Sequence, residues 1–193
     1  MSFRHVALMG RAGAGKDTAA ARLVNRYQFV RVAFADPLKD SALRLDPIVG
    51  AESTSYGSLP IRLSDVVKRY GWDRAKNSYP EVRRTLQNLG EGIRADDPDF
   101  WLRMALDKVA TADRWSLPVV VSDVRYANEA DALRSAGALM VRIERPGATA
   151  GGEAARHVSE LDLDAYPADA VLNNSGTVAE LNALVDELPI LRR

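Results

Sequence analysis

The stretch GRAGAGKDTAA, residues 10–20, decides how this chain is read. It satisfies the phosphate-binding pattern G-x-x-x-x-G-K-[ST] through Lys16, then places Asp17 where a magnesium-binding hydroxyl is expected. The apolar run Val6 to Met9 leads into it, and Ala20, Leu23, Val24 and Tyr27 recur at helical spacing beyond it. This order of strand, glycine loop and helix lets backbone N–H groups converge on phosphate oxygens, with a favourable helix dipole and the point charge of Lys16. An ordinary glycine turn accounts for neither Lys16 nor the clustering of Gly10, Gly13 and Gly15.

Three readings of Asp17 stand side by side. A carboxylate in the first helical turn is stabilised by the helix dipole whatever else it does. An anionic oxygen can also replace the missing hydroxyl as a direct or water-mediated Mg2+ ligand, because this hard cation accepts carboxylates readily. The neighbouring hydroxyl of Thr18 is the third candidate.

Composition narrows the classes. A chain of 193 residues suits one α/β domain, with 1–193 read as a single unit. Basic and acidic residues both number 26, so there is no global field to gather polyanions, and nucleic acid is not an expected partner. The absence of cysteine excludes a disulfide scaffold, a zinc-thiolate site and a cysteine nucleophile. The longest apolar stretch, Leu117 to Val121, is far too short to span a bilayer, and the N-terminus lacks a signal-peptide pattern, so a soluble cytoplasmic protein without a membrane partner is expected.

Along the chain, Phe29 to Phe34 predicts a second strand and ADPLKDSALRL a helix opened by Asp36 and Pro37. Residues 46–79 carry scattered Gly, Ser, Pro and charge with a short helical pattern near Ser64 to Tyr70, and read as an insertion rather than sheet. Pro80 opens a helix with Val82, Leu86, Leu89 and Ile93 on one face; Asp97 and Pro98 open another with Trp101, Leu102, Ala105 and Val109 inward. The unbroken run PVVVSDVR from Pro118 predicts a fully buried parallel strand. A helix to Gly137, strands at Ala138 to Glu144 and Ala170 to Asn173, and a helix opened by the capping box Thr177-x-x-Glu180 complete the pattern. Alternating strands and helices imply a mostly parallel five-stranded sheet with helices on both faces.

Asp123 follows the buried strand where the second carboxylate of a phosphate-loop enzyme approaches the metal, and Arg125 follows it at the ligand-binding edge of such a sheet. A local Asp-Arg ion pair is the plainer reading. Arg83, Arg84 and Arg94 surround TLQNLGEGI, and the guanidinium fork suits a second phosphate, although charges on a helix usually form a solvated face. Gln87, one turn from Arg83 and Arg84, can offer its amide to a base edge. The stretch 142–160 sets glycines and small residues between Arg145 and Arg156, as a closing lid around 146–160 or a plain surface loop would. His157 is a weak candidate there, and His5 reads as structural. Trp72, Tyr79, Phe100 and Trp101 suit either base stacking or the core.

The combination of GRAGAGKDT, FADPLKD, RRTLQNLGEGIRADDPDFW, VVSDVRYANEADAL and NNSGTVAEL resembles the bacteriophage-type deoxynucleoside monophosphate kinases of the P-loop nucleoside-monophosphate-kinase group. The resemblance spans almost the whole chain, and GKDT looks like that family's own version of the loop. It implies the P-loop kinase fold with ATP and Mg2+ as cofactors, ATP lying at Gly10, Gly13, Ala14, Gly15, Lys16, Asp17 and Thr18. It further implies a deoxynucleotide site involving the segment after Asp36 and the helix of Arg83 to Arg94; with the substrate-binding insertion around 46–96, the candidates are Asp36, Lys39, Arg83, Arg84, Gln87, Arg94 and, beyond it, Trp101. Asn174 to Thr177, with Asn174 and Gly176, looks like the loop flanking adenine. Lys16, Arg125 and Asp123 become the expected catalytic residues, Asp17 and Asp123 the expected metal ligands, and Arg145 and Arg156 the lid residues. The implied partner is a small-molecule deoxynucleoside monophosphate in a host cytoplasm; a homodimer is compatible with the sequence. A P-loop kinase for a dephospho-coenzyme A or phosphomevalonate type of acceptor, and a nucleotide-switch ATPase, are the alternatives.

Overall fold

Strand β1 is Val6–Met9, four apolar residues all buried, which only the middle of a sheet covered on both faces provides. The computed structural model describes residues 3–147 and 163–191, and places β1 between β5 (Val119–Val121) and β6 (Leu139–Glu144), parallel to both. With β2 (Val30–Val32) beside β5 and β7 (Ala170–Asn173) beside β6, the sheet order is β2-β5-β1-β6-β7, and every pairing is parallel. The expected five-stranded α/β arrangement is therefore present. From β1 the chain runs out to β2, returns to β5, and then crosses to β6 on the other side. Loops at the carboxyl ends of strands flanking such a reversal border the crevice where open α/β sheets bind ligands.

Helices α1 (Lys16–Tyr27) and α7 (Val178–Asp186) cover one face. Leu23, Leu181 and Val185 pack there against Val6, Leu8, Val120, Val141 and Ile143 in one core cluster. The alternate residues Ala7, Met9 and Met140 are equally buried on the opposite face, and α6 (Ala127–Ser135) packs on β6. Arg22 of α1 makes a two-pronged bond to Asp186 of α7, at 2.9 and 2.5 Å, and the Tyr27 hydroxyl adds a third at 3.1 Å. The guanidinium holds the Asp186 carboxyl below its ordinary range.

The chain divides into two compact units, Met1–Phe34 with Ala105–Arg193, and Ala35–Met104. The first carries the sheet. The second contains α2 (Ala35–Leu45), the antiparallel pair β3 (Ile48–Thr54) and β4 (Gly57–Arg62), α3 (Leu63–Ser78), α4 (Pro80–Asp96) and the start of α5 (Phe100–Arg114). Its own core joins Ala42, Val49, Leu63, Val66, Ala75 and Val82.

This corrects the expectation that 46–79 holds no sheet. Residues 51–60 of the hairpin are all exposed, so the buried-outward alternation that identifies a strand in sequence is missing. The turn is pinned locally, the Thr54 hydroxyl accepting from the Tyr56 N–H and donating to the Gly57 carbonyl. Helix α3 also outruns the expected 64–70, because Gly71, at φ 73° and ψ 166°, interrupts it and breaks its apolar period.

Candidate active site

The turn from β1 into α1 is built on left-handed backbone. Gly10, Gly13 and Gly15 have φ of 134°, 76° and 107°. A Cβ on Gly10 would stand 2.3 Å from the Ile143 carbonyl oxygen, and one on Gly15 2.6 Å from Asn174 Nδ2. Gly15 is the N-cap of α1 and has no side chain to satisfy the first N–H groups of the helix, which is the condition under which a helix end receives an anion. The Lys16 ammonium folds over the loop, donating to the Gly10 carbonyl and, at 2.9 Å, to that of Arg11. Asp17 is exposed in the first turn and Thr18 half-buried beside it; Ala14 is buried.

The second loop leaves β5, the neighbour of β1. Asp123 Oδ1 accepts from the Phe34 N–H at 2.8 Å, which ties the end of β2 to the end of β5. Arg125 is exposed, and its backbone N–H donates to Glu129 Oε2 at 2.9 Å, as does that of Tyr126 at 3.2 Å. Glu129 is 1% exposed, a carboxylate buried under the loop that carries Asp123 and Arg125. Sequence reading missed it, and the available signal was the Glu at the third position of α6, without the Ser or Thr that would have marked a capping box. Ser122, next to Asp123, is also buried, and its hydroxyl has no hydrogen-bond partner among the described residues.

A third loop leaves β7. Asn174 is 6% exposed, and its Nδ2 donates to the Ala14 carbonyl at 2.8 Å. Gly176 is exposed, and the expected capping box follows, with Glu180 accepting the Thr177 N–H at 2.6 Å and the Thr177 hydroxyl accepting the Glu180 N–H at 3.2 Å. The Thr177 N–H lowers the Glu180 carboxyl from its usual range. Arg11 of the glycine loop pairs with Asp164 at 2.6 Å, while Arg142 of β6 donates to the carbonyls of Leu163, Asp164 and Tyr166. Arg145 is exposed just past β6. Arg156, His157 and residues 148–160 of the expected lid lie outside the described residues.

The acceptor-site candidates all belong to the second unit. Arg83, Gln87, Gly90 and Arg94 recur at spacings of four, three and four residues, so they form one stripe along α4, with Arg84 to its side. Arg83 reaches Asn77 Oδ1 at 3.4 Å, Arg84 pairs with Glu81, and Arg94 reaches the Pro98 carbonyl at 3.4 Å. Asp36 and Lys39 pair at 3.6 Å, with the Lys39 ammonium 5.9 Å from the centre of the Trp72 ring. Trp101 is placed differently from a stacking platform. It is 2% exposed, meets Phe100 edge-on and donates from Nε1 to the Gly90 carbonyl at 3.2 Å, so its ring is core.

Among the described residues, no three His, Cys, Asp or Glu side chains come together to hold a metal ion. A dedicated protein cage is thus not offered, whereas Mg2+ held through one or two carboxylates, waters and substrate phosphates fits what Asp17 and Asp123 can supply. No helix among the described residues is long and apolar enough to cross a membrane.

Comparison with known proteins gives the family. The family model "Deoxynucleotide monophosphate kinase" matches residues 62–185. A putative deoxynucleotide monophosphate kinase of Acanthamoeba polyphaga mimivirus is 30% identical over 188 residues, covering 91% of this chain and 90% of its own. The deoxynucleotide monophosphate kinase of Enterobacteria phage T4 is 31% identical over 103 residues, 52% of this chain and 42% of its own, so the matched part is less than half of that protein. Among solved structures, an unliganded sugar kinase from Janibacter sp. HTCC2649 superposes with a TM-score of 0.50 at 16% identity, over 94% of this chain and 91% of its own, a likeness of fold. With a glycine-rich loop on a parallel five-stranded sheet, a family match over 62–185 and a viral relative similar over nearly its full length, the chain belongs to the deoxynucleotide monophosphate kinase family.

Proposed function

We propose that the protein transfers the γ-phosphoryl group of ATP to the 5′-phosphate of a deoxynucleoside monophosphate, giving ADP and the deoxynucleoside diphosphate. The observation that carries this reading is the loop Gly10–Gly15, with three glycines at positive φ ahead of a helix end that no side chain caps and Lys16 beside it. Family membership and the Arg83–Gln87–Arg94 stripe support the acceptor.

In this reading the loop amides and Lys16 hold the β- and γ-phosphates, and Arg125 meets charge on the group in transfer. Arg84 and Arg94 receive the acceptor phosphate, with Arg83 and Gln87 along the same helix. The exposed Arg84–Glu81 pair is a weak competitor, because exposed ion pairs contribute little. The bond from the γ-phosphorus to its bridging oxygen breaks as one to an acceptor phosphate oxygen forms. That oxygen is already anionic near neutral pH, so no general base is needed. Asp17 and Asp123 would hold magnesium, which when bound would neutralise phosphate charge. The protein's task is positioning and electrostatics. An ADP-release assay across deoxynucleoside and ribonucleoside monophosphates is the test: at least one deoxynucleotide should stimulate release, and equal release with and without every acceptor contradicts the reading.

Asp17 separates a metal role from helix-end stabilisation. Asp17→Ala is expected to raise the magnesium concentration for half-maximal rate, and Asp17→Ser, restoring the common hydroxyl, to do so less. Helix-end stabilisation alone would cost about 0.3 to 1 kcal/mol and leave the magnesium titration where it is. Thr18→Ala is the control: a shift there, with none in Asp17→Ala, assigns the metal to the hydroxyl.

A further inference from the structure

Of the buried polar side chains, Asn174 is bonded directly to the glycine loop. We infer that Asn174 is a positioning residue that aims the Gly15 N–H into the phosphate site by holding the Ala14 carbonyl, rather than a residue that touches the base. The inference rests on the nucleotide-loop reading above.

A phosphate loop presents its N–H groups to one side, so its carbonyls must turn to the other and find donors there. The peptide joining Ala14 to Gly15 is trans and planar, as all peptides among the described residues are non-cis, so its C=O and N–H point in opposite directions. Asn174 Nδ2 holds that C=O at 2.8 Å. The N–H of Gly15 is thereby directed away from Asn174. A carbonyl only accepts, so the Asn174 amide must present its nitrogen here.

Asn174 is itself well held. Its backbone N–H donates to the Glu144 carbonyl at 2.7 Å, prolonging the β6–β7 ladder by one residue. Three residues on, Thr177 caps α7, which packs on α1 through Leu181, Val185 and Leu23. There is no slack between Asn174 and the loop, since a Cβ on Gly15 would stand 2.6 Å from Nδ2 and 3.1 Å from Leu181 Cδ2. A buried, close-fitting donor of this kind fixes one orientation of the peptide. An exposed base contact would not require burial to 6%.

The test is titration calorimetry of the whole 193-residue chain with MgATP and, separately, magnesium tripolyphosphate, which has the phosphates and no base. Asn174→Ala is expected to weaken both ligands by the same factor, about tenfold, the scale of one misdirected hydrogen bond to a charged group. Asn174→Asp, which sets a carboxylate against the Ala14 carbonyl, should weaken both further. Asn174→Ser gives the same comparison if the alanine variant does not fold. Loss of ATP affinity with tripolyphosphate unchanged would mean that Asn174 contacts the nucleoside and would overturn the proposal, as would unchanged affinity for both in a folded variant. If the unsubstituted protein binds neither ligand, the nucleotide-loop reading fails and this inference with it.

Discussion

Arg125→Lys is expected to leave the protein folded and to lower turnover roughly 10²-fold or more, because a point charge cannot reproduce a guanidinium fork on phosphate oxygens. The side chain is exposed, so its exchange removes no core packing. Its backbone is fixed independently of the side chain by the Glu129 carboxylate, which takes the N–H groups of Arg125 and Tyr126, so the lysine will stand at the same place. What changes is the geometry of charge at the end of a strand neighbouring β1. Transition-state stabilisation by such a group appears in kcat rather than in the KM for either substrate. Steady-state kinetics on a variant with an unaltered melting temperature checks this, and near-normal turnover removes Arg125 from the mechanism.

Gly10→Ala should be the most damaging single methyl in the glycine loop. Its Cβ would meet the Ile143 carbonyl oxygen at 2.3 Å, and φ is 134°, where an L side chain is strained in any surroundings. The obstacle is backbone of β6, paired with β1 through Met9 and Arg142, so relief requires moving two central strands. A cost of about 2 to 4 kcal/mol follows from overpacking together with backbone strain. For a chain of this size that corresponds to roughly 5 to 15 °C in Tm. Gly13→Ala is the comparison, since a Cβ there meets nothing within 4 Å and only the φ of 76° opposes it. Its cost should stay near 1 to 2 kcal/mol. Thermal melts of both variants decide the matter, and a Gly10→Ala protein no less stable than Gly13→Ala contradicts the close approach described.

Where local chemistry dictates the structure, it was legible in the residues. The run Val6 to Met9 ends at the expected residue because Gly10 turns the chain there, and Thr177 with Glu180 opens α7 through the bonds their spacing implies. The unbroken valines at 119–121 identified a strand covered on both faces. The hairpin of β3 and β4 was not legible, since its outer residues bury nothing and leave no period to detect. The helical spacing of Trp101 already pointed inward, against its place among the acceptor-site candidates, and only the fold reveals the Gly90 carbonyl that its indole nitrogen meets.

The candidate site divides the same way. The positions of Lys16, Asp17, Asp123 and Arg125 follow from strand ends, which the sequence marks. The groups that hold those loops depend on tertiary pairing instead. Asn174 lies 160 positions from Ala14, and its amide reaches the loop only because β7 pairs with β6 and β6 with β1. Glu129 looks in sequence like any acidic residue near a helix start, and its burial depends on how α6 packs.

The most direct test of the account follows the phosphoryl group itself. The purified protein is incubated with magnesium, ATP labelled at the γ-phosphate and each deoxynucleoside monophosphate in turn, and the nucleotides are separated by chromatography. Label is expected in a deoxynucleoside diphosphate, appearing only with an acceptor and in step with ADP. Label released as inorganic phosphate at the same rate with and without acceptors, and no labelled diphosphate, would contradict it.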